Sequence, residues 1–150
     1  LKKYDIVKHE RSENEFFNAV TYRRPGIPAY EKGRIYYNGY EPRLVCFRAD
    51  DGTAIWKKPY TVRTPICIGG DNLYFGSWDN KLYGLNAQTG AKLWEFKMLG
   101  SKSSPAVASG YIYVGGDDHY IYCLKATPGE AGTWPLFKGN AARTGAVLAG

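Results

Sequence analysis

The feature that most constrains this chain is a stretch that it writes more than once. "RLVCFRADDGTAIW" at 43–56 and "KLYGLNAQTGAKLW" at 81–94 share an apolar strand, a small polar turn closed by glycine, and a second strand ending on tryptophan. "YIYCLKA" at 120–126 is a third copy of the first of those strands. The phase holds upstream, where "IPAYEKGRIYY", "TPICIGGDNLYF" and "SPAVASGYIYV" align Pro28, Pro65 and Pro105 at intervals of 37 and 40 residues. A period of about forty residues restricts the chain to repeat architectures, because each copy is one supersecondary unit that buries its apolar faces only against its neighbours.

Each unit divides into four short strands, lettered A to D. Strand A surrounds the proline, B surrounds Tyr36, Tyr74 or Tyr113, C surrounds Leu44, Leu82 or Ile121, and D ends on Trp56 or Trp94. The turns "EKG", "GGDN" and "ASG" separate A from B, and "ADDG" or "AQTG" separates C from D. Gly52 and Gly90 suit the positive φ that closes a type I turn followed by a bulge. The strands "NLYFG", "YIYVGG" and "YIYCL" are apolar on both faces, whereas a sheet with one wet face alternates, so these sheets are expected to be covered on both sides. With 44% hydrophobic and 23% charged residues in 150, the chain has the apolar material for such burial. Dense Gly, Pro, Tyr and β-branched residues at hairpin spacing exclude helical repeats. A β-sandwich also accommodates strands of this kind, but gives no reason for the repeated phase. An all-β fold of four-stranded antiparallel units, repeated at this period and covered on both faces, is what a β-propeller requires.

"GDNLYFGSWDNKLYGLNAQTGAKLWEF" and "SSPAVASGYIYVGGDDHYIYCLKA" resemble the pyrroloquinoline-quinone-type (PQQ-like) β-propeller repeat, whose pattern is an S-P-A-V strand, a G-x-V/I-Y-V-G strand, a D-x-x-L-Y-A-L strand and then T-G-x-x-x-W. The likeness covers roughly residues 25–126, and "TWPLFKGNAARTG" at 133–145 resembles a segment that borders many such propellers. It implies that Trp56 and Trp94 are docking tryptophans wedged between blades, with Gly52, Gly90, Pro65 and Pro105 serving the repeat itself. The Trp78-Asp79 pair is similar to that of WD40 repeats, but there the pair ends a strand and a Gly-His opens the repeat; here it lies in a turn and no Gly-His occurs. Run backwards, the same phase puts Phe17 at a tryptophan position. The expected organisation is therefore one propeller segment of about three and a half repeats: a partial blade at 1–24, blades at 25–58 and 62–98, and an irregular terminal blade at 102–145. Since closed propellers have about four to eight blades, the segment is expected to belong to a larger propeller or to combine with further copies of itself.

Chemistry is sparse. In the family's enzymes the resemblance implies a quinone over the central channel, a tryptophan floor, Ca²⁺ held by Glu and Asn, and an Asp base; nothing here matches them. "DDH" at 117–119 and "WDN" at 78–80 have the small polar residues that turns demand, and neither His9 nor His119 has a nucleophile motif beside it. No catalytic, cofactor-binding or metal-ligating residue is therefore assigned. Cys46, Cys67 and Cys123 lack CxxC spacing and sit in apolar stretches, as buried small hydrophobes do. The net charge of +6 comes from scattered Lys and Arg without a basic run, which argues against a nucleic-acid partner, and no apolar run is long enough for a membrane span.

In an A-B-C-D meander the B–C turns and the D–A links emerge at one end. That end carries Tyr40, Arg43, Trp78, Asp79, Asp118 and His119, with Lys57, Lys58, Arg63 and Lys102 on the links, an aromatic and basic set suited to an unidentified protein or carbohydrate partner. The expected function is a non-enzymatic propeller scaffold for protein–protein or ligand interaction, part of a larger exported protein. The alternative is a fragment of a quinoprotein (PQQ-dependent) dehydrogenase, and only under it would PQQ and calcium be bound. The resemblance further implies a periplasmic or extracellular location.

Overall fold

The computed structural model describes residues 26–38, 43–100 and 103–126. They form three antiparallel sheets in chain order. The first contains β1 (Ala29–Glu31), β2 (Arg34–Asn38), β3 (Leu44–Arg48) and β4 (Ala54–Lys58). The second contains β5 (Cys67–Gly69), β6 (Asn72–Gly76), β7 (Lys81–Asn86) and β8 (Lys92–Lys97), and the third β9 (Ala106–Ala108), β10 (Tyr111–Gly115) and β11 (Ile121–Lys125). Each is a simple meander, and β5 touches both β1 and β9, so the A strands of successive sheets are neighbours. The fold is an all-β propeller arc. The partial blade placed at 1–24, and Trp134 with the fourth strand of the terminal unit, lie outside the described residues.

Local chemistry explains the meander. At the A–B turn of the first sheet Lys32 and Gly33 both have positive φ (47° and 75°), and Ser109 with Gly110 repeats this in the third (50° and 78°). Two such residues in succession give the turn whose twist matches that of paired strands. At the C–D turns Gly52 (φ 75°) and Gly90 (φ 68°) donate their N–H to the carbonyls of Arg48 and Asn86. The pairing then slips by one residue, leaving Ile55 and Leu93 as the bulged positions of β4 and β8. The A–B and C–D turns of one sheet are tied by a bond that recurs unit by unit: Ala49, Ala87 and Ala126 each donate N–H to Gly33, Asp71 and Gly110, all at 2.8 Å.

Two cores lie between the sheets. Ala29, Tyr36, Leu44 and Cys46 of the first sheet meet Ile68, Leu73, Phe75, Tyr83 and Leu85 of the second. On the second sheet's other side Cys67, Tyr74 and Leu82 meet Val107, Ile112 and Val114 of the third. The inner strands of the second sheet are thus buried on both faces, as their composition predicts.

The tryptophans sit in these interfaces. Trp56 donates its Nε1–H to the Ala87 carbonyl of the second sheet at 3.1 Å, the same oxygen that accepts the Tyr36 hydroxyl at 3.2 Å. Gly90 lies against the Trp56 ring, where a Cβ would come within 2.9 Å of it. Trp94 stacks on Tyr74 (centroids 5.7 Å, 26°) and packs against the core shared with the third sheet.

At the third sheet two expectations are not met among the described residues. The burial along β10 alternates between exposed and buried, and Cys123 is exposed while Cys46 and Cys67 are buried. Its apolar residues follow the repeat, but among the described residues no further sheet lies against Tyr113, Ile121 and Cys123.

Candidate interaction surface

The B–C turns are built to a common plan. Ser77–Asn80 turns between β6 and β7, with Asn80 in the left-handed region (φ 61°), and His119 occupies the corresponding position of the third sheet (φ 68°). Asn and His are among the residues that tolerate this conformation best, so His119 has a place in the turn irrespective of any ligand. Asp79 accepts a 2.6 Å bond from the Tyr83 hydroxyl, and Asp118 accepts the equivalent bond from Tyr122. Burial, reinforced by Asp79, raises the Tyr83 pKa, and the Tyr122 hydroxyl lowers that of Asp118. Both carboxylates thus brace their own turns.

The D–A links run beneath these turns. Thr61 and Ser77 bond through side chains and backbone, and the Trp78 N–H is donated to the Thr61 carbonyl at 3.0 Å. Thr64 Oγ1 accepts the Gly76 N–H at 2.9 Å, and Ser103 Oγ does the same for Gly115 at 2.7 Å. Hydroxyls at both places cap edge amides that lack a strand partner.

This stitching holds Arg63 over Trp78, the guanidinium carbon 4.7 Å from the ring centroid. Link and turn therefore meet at one end of the blade, as the meander argument requires. Trp78 remains 52% exposed, so its indole is presented to solvent on a braced turn with a cation over its ring. Arg43 is exposed at the start of β3 and Lys57 near the end of β4. Tyr40 and Lys102 lie outside the described residues. Lys58 departs from its expected place: its side chain reaches Gly90, in the C–D turn of the second sheet. The sequence reading missed the bracing role of the two aspartates. The signal was present as D-x-x-x-Y at Asp79–Tyr83 and Asp118–Tyr122, repeated at the spacing of the units.

Among the described residues no three His, Cys, Asp or Glu side chains gather, and Asp79 and Asp118 are bonded to tyrosines. Among the described residues no helix is long and apolar enough to cross a membrane.

A family profile described as outer membrane protein assembly factor BamB matches residues 10–130. The outer membrane protein assembly factor BamB of Legionella pneumophila is 28% identical over 105 residues, which are 69% of this chain and 27% of that protein. Among solved structures, BamB from Moraxella catarrhalis superposes with a TM-score of 0.62 at 24% identity, over 70% of this chain and 32% of that one. Quinohemoprotein alcohol dehydrogenase from Comamonas testosteroni superposes at 0.57 and 21% identity, over 70% and 20%. Both share the fold with this chain, which spans about a quarter of the length of the Legionella relative.

Proposed function

Since the chain belongs to the family described as outer membrane protein assembly factor BamB, we propose that it is a non-enzymatic propeller scaffold that docks a protein partner on its B–C end. The observation that carries this reading is the exposed Trp78 under Arg63. Tryptophan and arginine are the residues that most often dominate protein interfaces, because a rigid amphipathic ring and a planar cation bury area at low entropic cost. The basic residues around them favour an acidic, extended segment as the partner's contact. The assembly role named for the relatives supports a protein rather than a carbohydrate ligand and a place of action in the periplasm, within a larger assembly.

The test is binding to an array of acidic synthetic peptides. Trp78→Ala and Arg63→Ala are each expected to weaken the tightest binder about tenfold or more, while Gln88→Ala, in the C–D turn at the opposite end, leaves it unchanged. Equal effects of all three substitutions, or no binder at all, would sink the reading. In a parallel arm PQQ and Ca²⁺ are titrated into the chain; a saturable, stoichiometric absorbance change would favour the dehydrogenase alternative instead.

A further inference from the structure

The turn that displays Trp78 is fixed to its surroundings from several sides. Its backbone is tied to the preceding D–A link, where the Trp78 N–H bonds the Thr61 carbonyl at 3.0 Å, and to the following one, whose Met98 N–H bonds the Asn80 carbonyl at 2.9 Å. Ser77 Oγ donates to the same Thr61 carbonyl at 3.0 Å. A further tie is made by side chains alone, the Tyr83 hydroxyl donating to Asp79 at 2.6 Å.

That last tie differs in where its far end lies. The Tyr83 ring is 6% exposed, stacked on Phe75 (5.7 Å, 27°) and tilted against Tyr60 (4.9 Å, 58°) in the core between the first and second sheets. A ring packed in this way does not shift without disturbing its neighbours. Its hydroxyl therefore holds at a fixed place the carboxylate that follows the exposed indole in the chain. The Arg63 guanidinium above that indole, 4.7 Å from the ring centroid, comes from a separately anchored segment, the Arg63 N–H bonding the Gly76 carbonyl at 2.8 Å. Ring and cation keep their register only while the turn keeps its orientation, because the attraction fades beyond about 6 Å. The third sheet repeats the device with another residue on display: Tyr122 holds Asp118, and Asp117 stands in the place of Trp78, its N–H bonding the Leu99 carbonyl at 2.9 Å.

We propose that Tyr83 is a positioning residue for the docking site: by holding Asp79 it orients the turn so that Trp78 stays under Arg63 and meets its partner already ordered. This deepens the docking reading above and rests on it. An indole ordered beforehand spares the complex the cost of ordering it on binding, and the gain falls chiefly on the dissociation rate.

Fluorine NMR of the full chain carrying 5-fluorotryptophan tests the positioning without any partner, Trp78→Phe identifying the Trp78 line. Tyr83→Phe keeps the ring stack and loses only the hydroxyl; Asp79→Ala removes the same bond from the exposed side. In both, the Trp78 line is expected to move toward its position in Arg63→Ala, while the Trp56 and Trp94 lines stay. Asp79→Asn, whose amide oxygen still accepts the hydroxyl, and Tyr122→Phe, which removes the equivalent bond one blade on, leave the Trp78 line in place. Against the tightest-binding peptide of the acidic array, Tyr83→Phe is expected to dissociate about three- to tenfold faster, with association changed by less than about twofold. Tyr122→Phe is expected to bind as the wild type does. An unmoved Trp78 line in both Tyr83→Phe and Asp79→Ala overturns the proposal, and so does an equal shift in Tyr122→Phe, which would report general loosening. If the array yields no binder, the docking reading falls, and the fluorine lines still decide whether Tyr83 positions Trp78.

Discussion

Trp94→Ala is expected to lower the stability of the chain by about 3–5 kcal/mol, against at most about 1 kcal/mol for Trp78→Ala. The two indoles differ in what surrounds them. Trp94 lies stacked on Tyr74 with the core of the second and third sheets beneath it. Its cross-strand neighbour is Gly84, which has no side chain to move into the space that truncation leaves. The hole would open between two sheets, where residues held by their own ladders collapse least, and cavity costs rise with the volume left unfilled. Trp78 has water on half its surface and one cation–π contact to lose. Urea melts followed by circular dichroism measure both: a large fall in midpoint for Trp94→Ala at unchanged slope is the expected pattern. Equal midpoints for the two variants would mean that Trp94 is no wedge. Trp56→Ala should behave like Trp94→Ala, with the bond to the Ala87 carbonyl lost in addition.

Much of this architecture was legible because the repeat writes it in redundant form. Three alignable strands B and C and two glycine-closed C–D turns place every hairpin, and the direction of a meander then dictates that Arg63 and Trp78 share an end. What was not legible depends on neighbours that periodicity cannot supply. Cys123 and Ile121 occupy positions that are buried in the other sheets, so their composition looks like core; their exposure follows only from which sheets are adjacent. Lys58 ends the strand whose end should face the B–C turns, yet its flexible side chain runs to Gly90. Asp79 and His119 look like surface polar residues in sequence, and in space one accepts a tyrosine hydroxyl while the other fills a left-handed turn position. Turn demands and binding demands select the same small polar residues, which is why composition alone did not separate them.

Gly84 shows how finely the wedges are fitted, and Gly84→Val is expected to cost about 2–3 kcal/mol, more than Gly84→Cys. Gly84 stands in mid-strand without a positive φ, so its backbone does not require glycine. Its neighbour does: a Cβ there would come within 2.5 Å of the Trp94 ring. The equivalent position of the first sheet holds Cys46, opposite Trp56, and the ring geometry differs accordingly. Trp94 lies on Tyr74 at 5.7 Å and 26°, whereas Trp56 meets Tyr36 at 6.0 Å and 42°. A side chain beneath the indole thus goes with a lifted and tilted ring, and its absence with a flat stack. Cysteine at 84 would ask Trp94 to adopt the arrangement that Trp56 already has, at the loss of some stacking. Valine's second γ-methyl has no counterpart in either sheet and must push the ring out of its place against the core of the second and third sheets. Denaturant melts of the two variants, with the near-ultraviolet band of the Tyr74–Trp94 pair followed alongside, decide the matter. Indistinguishable stabilities for valine, cysteine and glycine at this position would show that the ring moves freely and that the flat stack owes nothing to the missing side chain.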